Sequence, residues 1–181
     1  YAVPASYYLM EETNAVSVQD GTFTYPAKKR EDIVLKDIPR GDYKQIKFSI
    51  GIDAKHNDNL SLQAGELSQL SGMTNISWMW HTSYIFTSIQ GTVNEGTVTR
   101  NFKAETGLNA NYKTISVSLA QPLKIGSSSL AKMAFDVDVA KLLDAVDLIT
   151  TPVVGASQAA TMATIATNFA TKVVTVKTGT L

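Results

Sequence analysis

With 181 residues, of which 44% are hydrophobic and 18% charged, the chain has enough apolar surface for one ordered domain and is not a disordered polypeptide. Its 16 Lys and Arg balance 16 Asp and Glu, which argues against nucleic acid as a partner, because duplex binding leans on a basic excess. Cysteine is absent, so a disulfide framework, a thiolate metal site and a thiol nucleophile are all excluded.

Taken in chain order, the pattern is dominated by a period of two. Thr22–Tyr25 and Ile33–Lys36 are short β candidates, and the basic Lys28-Lys29-Arg30 between them, followed at once by Glu31 and Asp32, reads as a solvated loop. From Tyr43 to Ile52, Ile46, Phe48, Ile50 and Ile52 alternate with Gln45, Lys47, Ser49 and Gly51, as a strand with one buried face requires. Asp53–Ser77, rich in Asn, Ser, Gly and Gln, reads as a long loop. Tyr84–Val93 and Thr97–Lys103 flank Asn94-Glu95-Gly96 and predict a hairpin with glycine at the turn. Thr114–Leu119 and Met133–Val139 repeat the alternation, the second pointing Met133, Phe135, Val137 and Val139 to one side. A short helix is predicted over Ala140–Asp147 and a longer one over Ser157–Ala170. Ser157 would cap the second, and Met162, Ile165, Ala166 and Phe169 would share its buried face. Val173–Lys177 closes the chain as a last β candidate. The expectation is a mainly β fold of sandwich-like antiparallel sheets, with one or two short helices near the C-terminus, forming a single domain over residues 1–181. No apolar run reaches membrane-spanning length, so no transmembrane segment is expected in the chain.

Catalytic signatures are missing. Neither histidine, His56 or His81, accompanies a Gly-x-Ser-x-Gly elbow, and no phosphate-cradling glycine loop occurs. Asp136 and Asp138 sit on one face of a single strand, whereas acid–base pairs acting on sugars face each other across a cleft. A non-enzymatic domain is the expectation. Asp53-Ala54-Lys55-His56-Asn57-Asp58-Asn59 is dense in oxygen donors suited to a hard cation, but Ala64 stands where an EF-hand needs its closing Glu. The same residues form turns through their own backbone hydrogen bonds.

The most unusual stretch is Ser77-Trp78-Met79-Trp80-His81-Thr82-Ser83-Tyr84, which holds both tryptophans of the chain. On an extended backbone Trp78 and Trp80 share a face and His81 takes the opposite one. Two large β-domain aromatics are the simplest reading. Two sharper ones are a metal site, since imidazole is a common ligand for copper and zinc and thioether suits Cu(I), and a glycan-binding surface on which Trp78 and Trp80 stack against sugar rings.

Gly72-Met73 leading into Trp78-Met79-Trp80, then Tyr84-Ile85-Phe86 and Gln90-Gly91, resembles the "GM-W-W-GY-F-EG" signature of the MbnP-like (methanobactin-associated) copper-binding family. Ile38-Pro39-Arg40-Gly41-Asp42-Tyr43 and Phe48-Ser49-Ile50-Gly51-Ile52-Asp53 are similar to its "VPAG-Y…F-GVD" segment, and Tyr7-Tyr8-Leu9 to its "YYIS" run. Ala159-Ala160 with Ile165-Ala166-Thr167-Asn168-Phe169-Ala170 resembles the "AA…IA-NYA" helix of Bacteroidota members. The resemblance implies a periplasmic protein, or a cell-surface lipoprotein, with a signal removed ahead of Tyr1. It also implies copper as cofactor, held by histidines and in some members by an oxidised tryptophan, and a di-haem peroxidase-like partner that performs the oxidation. Carried over residue by residue, Trp78 and Trp80 match the family's tryptophan pair and Glu105 its histidine position; with His81, which lies beside the pair as a substitute ligand, the metal candidates are Trp78, His81 and Glu105. Glu105 stands in Phe102-Lys103-Ala104-Glu105-Thr106-Gly107 where the family often has the histidine of "F-x-Y-H-x-G", and a second family histidine is missing around Ile33–Asp37. Cu(I) prefers imidazole and sulfur to carboxylate, so the implied site is a depleted one. The alternative, an adhesion or glycan-binding module, would use Trp78 and Trp80.

Overall fold

A computed structural model describes residues 1–18, 21, 23–59, 61–62, 64–67, 79–80, 83–126 and 131–177. The chain divides into two compact units, Tyr1–Pro39 with Ser61–Trp78, and Arg40–Leu60 with Met79–Leu181.

In the first unit, β1 (Glu11–Thr13), β2 (Val16–Val18), β3 (Phe23–Tyr25) and β4 (Lys28–Arg30) form two antiparallel pairs, β1 with β4 and β2 with β3. The basic Lys28–Arg30 stretch is thus a strand and not the expected loop. Its charges are answered across the ladder, Glu11 opposite Arg30 and Glu12 opposite Lys29, and opposite charges facing each other favour pairing. Lys29 Nζ lies 3.2 Å from Glu12 and 3.1 Å from Glu31. Ile33–Lys36, expected as a strand, takes no part in a ladder, and Ile33, Val34 and Leu35 are exposed. Local β preference needs a neighbouring strand to act on.

One carboxylate ties this unit together. Glu66, in the 3-10 turn Gly65–Leu67, pairs with the Arg30 guanidinium and accepts the Leu9 N–H at 2.8 Å, while Arg30 also donates to the Leu9 carbonyl at 3.1 Å. Burial pushes the Glu66 carboxyl up, but Arg30 and the Leu9 N–H together outweigh it and hold the group below its ordinary value. A carboxylate with a depressed folded-state pKa stabilises above its unfolded pKa, and that contribution disappears as pH falls through the folded value. Glu66→Gln is therefore expected to lower the melting temperature at pH 7, with the gap to wild type closing below about pH 4. A gap independent of pH in thermal melts would show that the ion pair contributes nothing.

The second unit begins with β5 (Gly41–Ile50), which pairs antiparallel with β9 (Lys113–Ile125). The register slips between Tyr43 and Gln45, whose partners are Leu123 and Ser118. Pro122 lies in the slip and has no N–H to give a ladder. After it, Ile46, Phe48 and Ile50 are the more buried set, as their alternation predicts, and Phe48 stacks edge-on against Phe135.

Between these strands come α1 (Ala54–Asn57), β6 (Met79–Trp80), β7 (Ser83–Glu95) and β8 (Val98–Gly107). The β7–β8 hairpin turns over Gly96-Thr97 with Gly96 at φ +57°, as the predicted glycine turn requires. Then follow β10 (Phe135–Val137), β11 (Val153–Val154), α2 (Ala159–Asn168) and β12 (Val174–Val176). The larger sheet runs β11-β8-β7-β6, with β11 parallel to β8 and the other pairs antiparallel, and β10 pairs with β12. The organisation is mainly β and antiparallel, as expected.

One face of the β7–β8 hairpin is apolar. Ile89, Val93, Phe102 and Ala104 pack with Met162, Ile165 and Phe169 of the helical segment and with Leu142, Leu148, Val154 and Val173. Gly91 leaves room for the Phe102 ring, whose Cε1 would lie 3.0 Å from any Cβ there. The other face is a polar ladder in which Thr92 bonds Asn101 at 3.0 Å and Thr99 bonds Asn94 at 2.7 Å.

Three boundaries differ from expectation. The strand over Met133–Val139 is only β10, and Val137 and Val139 are exposed. The helix over Ala140–Asp147 is a 3-10 run, Val139–Leu143, followed by turns. The C-terminal helix begins at Ala159, with Gln158 instead of Ser157 at its cap position, and its last turn widens to a π-helix over Phe169–Val173.

Candidate functional site

Of the tryptophan segment the structure describes β6, an edge strand of the larger sheet. Met79 pairs with Tyr84 and Trp80 with Ser83. Trp78 and His81 lie outside the described residues, and of Trp80 the backbone alone is described.

What holds the end of β7 is a set of polar side chains, of which Asn57 and Ser83 are buried and Asn109 and Asp58 exposed. Asn57, the last residue of α1, is 2% exposed; its Oδ1 accepts the Tyr84 N–H at 2.8 Å and its Nδ2 donates to Asn109 Oδ1 at 2.8 Å. Asn109 Nδ2 in turn donates to Asp58 Oδ1 at 2.6 Å. Ser83 is fully buried and its Oγ accepts the Leu108 N–H at 2.8 Å. Leu108 has φ +67° and ψ 145°, a region that costs a side chain about 1–3 kcal/mol and persists only where neighbours hold it. Tyr84 is 1% exposed, and burial pushes its phenol above the ordinary range, so it stays neutral.

The same short helix carries His56, whose Nδ1 lies 3.1 Å from both carboxylate oxygens of Asp53. The Asn57–Tyr84 hydrogen bond therefore ties together the two stretches of sequence that carry both histidines of the chain. His56 adjoins Asn57, and His81 stands two residues ahead of Ser83. The oxygen-rich run Asp53–Asn59 is spent in this way: Asp53 on His56, Asn57 on Tyr84 and Asn109, Asp58 on Asn109. Among the described residues no three His, Cys, Asp or Glu side chains gather here, so the run does not assemble a shell of carboxylates around a cation.

Glu105 is elsewhere. It is 9% exposed in β8, with Lys103 Nζ 2.7 Å from Oε1 and the Ser88 hydroxyl at 3.4 Å. Its register partner on β7 is Ser88, whereas Trp80 faces Ser83 from the other side of that strand. Five residues along β7 and two strand spacings separate the backbones of Trp80 and Glu105 by on the order of 15–20 Å. The ladder does not bring these two together. Among the described residues no group of three His, Cys, Asp or Glu side chains gathers as a metal site requires, so those residues by themselves do not fit copper. Asp136 and Asp138 face no third carboxylate either, and Asp138 lies 3.4 Å from Lys141.

Sequence reasoning placed Asn57 only in an oxygen-rich run and Ser83 only beside the tryptophans, and it did not single out Asn109. Asparagine and serine in a loop-like run carry no signal that distinguishes a solvated turn from a buried hydrogen-bond hub. A family model described as MbnP matches residues 1–163. No curated protein and no solved structure matches the chain.

Proposed function

The chain belongs to the MbnP family, and on that premise we propose that it is an exported, non-enzymatic domain that binds copper weakly, through a ligand set reduced to the Trp78–His81 segment. The observation that carries the reading is the tie between Asn57 and Tyr84. It joins the stretch bearing His56 to the start of β7, immediately after the tryptophans and His81. Imidazole and thioether are the donors copper accepts, and His81 with Met79 supplies both types within three residues. Glu105 is left out of the set, because its carboxylate is engaged by Lys103 and a hard oxygen is a poor Cu(I) donor. From the family resemblance the proposal takes a location in the periplasm, or at the cell surface as a lipoprotein. From the same source it takes a di-haem peroxidase-like partner acting on Trp78 or Trp80.

Copper titration against a competing chromophoric chelator tests the reading. Outer groups that merely orient metal ligands are worth about 10–100-fold in affinity, so His81→Ala is expected to weaken binding by at least that much. Glu105→Gln is expected to leave affinity unchanged. If wild type binds no more copper than a His56→Ala/His81→Ala double variant, the copper reading is wrong.

A further inference from the structure

We propose that Asn57 is the positioning residue of the tryptophan segment, fixing the end of β7 against which Met79 and Trp80 register. The copper part of this inference rests on the reading above; the positional part does not.

β6 has only two residues, and so short a ladder has little hold of its own. Its place is set by Ser83 and Tyr84, its register partners. Tyr84 is in turn held from outside the sheet by Asn57, which takes its N–H, and Ser83 turns its own Oγ to the N–H of the strained Leu108. The Asn57 amide is used at both ends, oxygen to Tyr84 and nitrogen to Asn109 Oδ1, so its orientation is determined and a flipped amide would lose both bonds. Removing it would take the acceptor from the buried N–H of Tyr84, the residue with which Met79 pairs. Both tryptophans of the chain lie in this segment, so emission excited at the red edge of the absorption band, where the seven tyrosines do not absorb, reports on it.

The test uses the full chain, at a temperature where far-ultraviolet circular dichroism shows each variant folded. Asn57→Ala is expected to shift the tryptophan emission and to weaken copper binding by about 10–100-fold, the range for groups that orient metal ligands. Asn109→Ala removes the partner of the Asn57 Nδ2 and leaves the acceptor of the Tyr84 N–H in place, so it is expected to keep the wild-type emission. An unshifted emission in Asn57→Ala, or a shift of equal size in Asn109→Ala, overturns the proposal. Should Asn57→Ala fail to fold, hydrogen exchange in wild type decides. A Tyr84 amide as protected as those in the middle of β7 supports the role, and one that exchanges like a loop amide refutes it. A wild-type chain that binds no copper while Asn57→Ala still shifts the emission removes the copper reading and leaves the positioning role standing.

Discussion

Ile165→Ala is expected to destabilise the second unit by about 2–5 kcal/mol, the range for truncating a fully buried aliphatic side chain. Ile165 is 1% exposed and lies with Met162, also 1% exposed, on the face of α2 that packs against Ala104 and Val173. The loss combines the transfer free energy of three carbons with a cavity that close-packed neighbours fill only in part. Thr167→Ala, on the exposed side of the same helix, is expected to stay within about 0.5 kcal/mol of wild type. Urea denaturation of the pair gives the comparison. Equal costs at the two positions would mean that α2 does not present the face its sequence spacing predicts.

Gly51→Ala is expected to cost about 2–4 kcal/mol, from two sources. Gly51 has φ +101°, a conformation L side chains rarely adopt, and a Cβ built there would run into the Phe86 ring, with Cγ at 2.7 Å. Three atoms of the ring crowd the added carbon, so the Phe86 side chain has to shift to make room. A double-mutant cycle separates the sources. In a Phe86→Ala background the steric part vanishes and only the backbone strain remains, so Gly51→Ala should cost at least 1 kcal/mol less there, an order set by overpacking energies. Additive effects would locate the penalty wholly in the backbone.

The strands that sequence reasoning located best are those with a long period of two and a partner of equal length. Ile46, Phe48 and Ile50 fell on the more buried side of β5, and Ile115 and Val117 on that of β9. Where the partner was missing the pattern misled. Ile33–Lys36 has the composition of a strand and pairs with nothing among the described residues, and Val137 and Val139 continue an alternation after the β10 ladder has ended. Charge misled in the opposite direction at Lys28–Arg30, where the answering carboxylates Glu11, Glu12 and Glu66 lie 17 to 36 residues away.

The candidate site was legible only as residue types. Trp78, Trp80 and His81 stand out by rarity, and Glu105 by its place in a motif, but the register that separates Glu105 from Trp80 depends on a bulge at Phe86 and on β6 and β8 flanking opposite sides of β7. By itself the sequence determined the β-rich class, the face of α2 that is buried and the family, because periodicity and ordered motifs are properties of the linear chain. Tertiary structure alone decided that Asn57 is buried, that Glu105 is spent on Lys103 and that the oxygen-rich run is occupied by its own neighbours. A polar side chain is satisfied by whatever folding brings beside it, and no local pattern says what that will be.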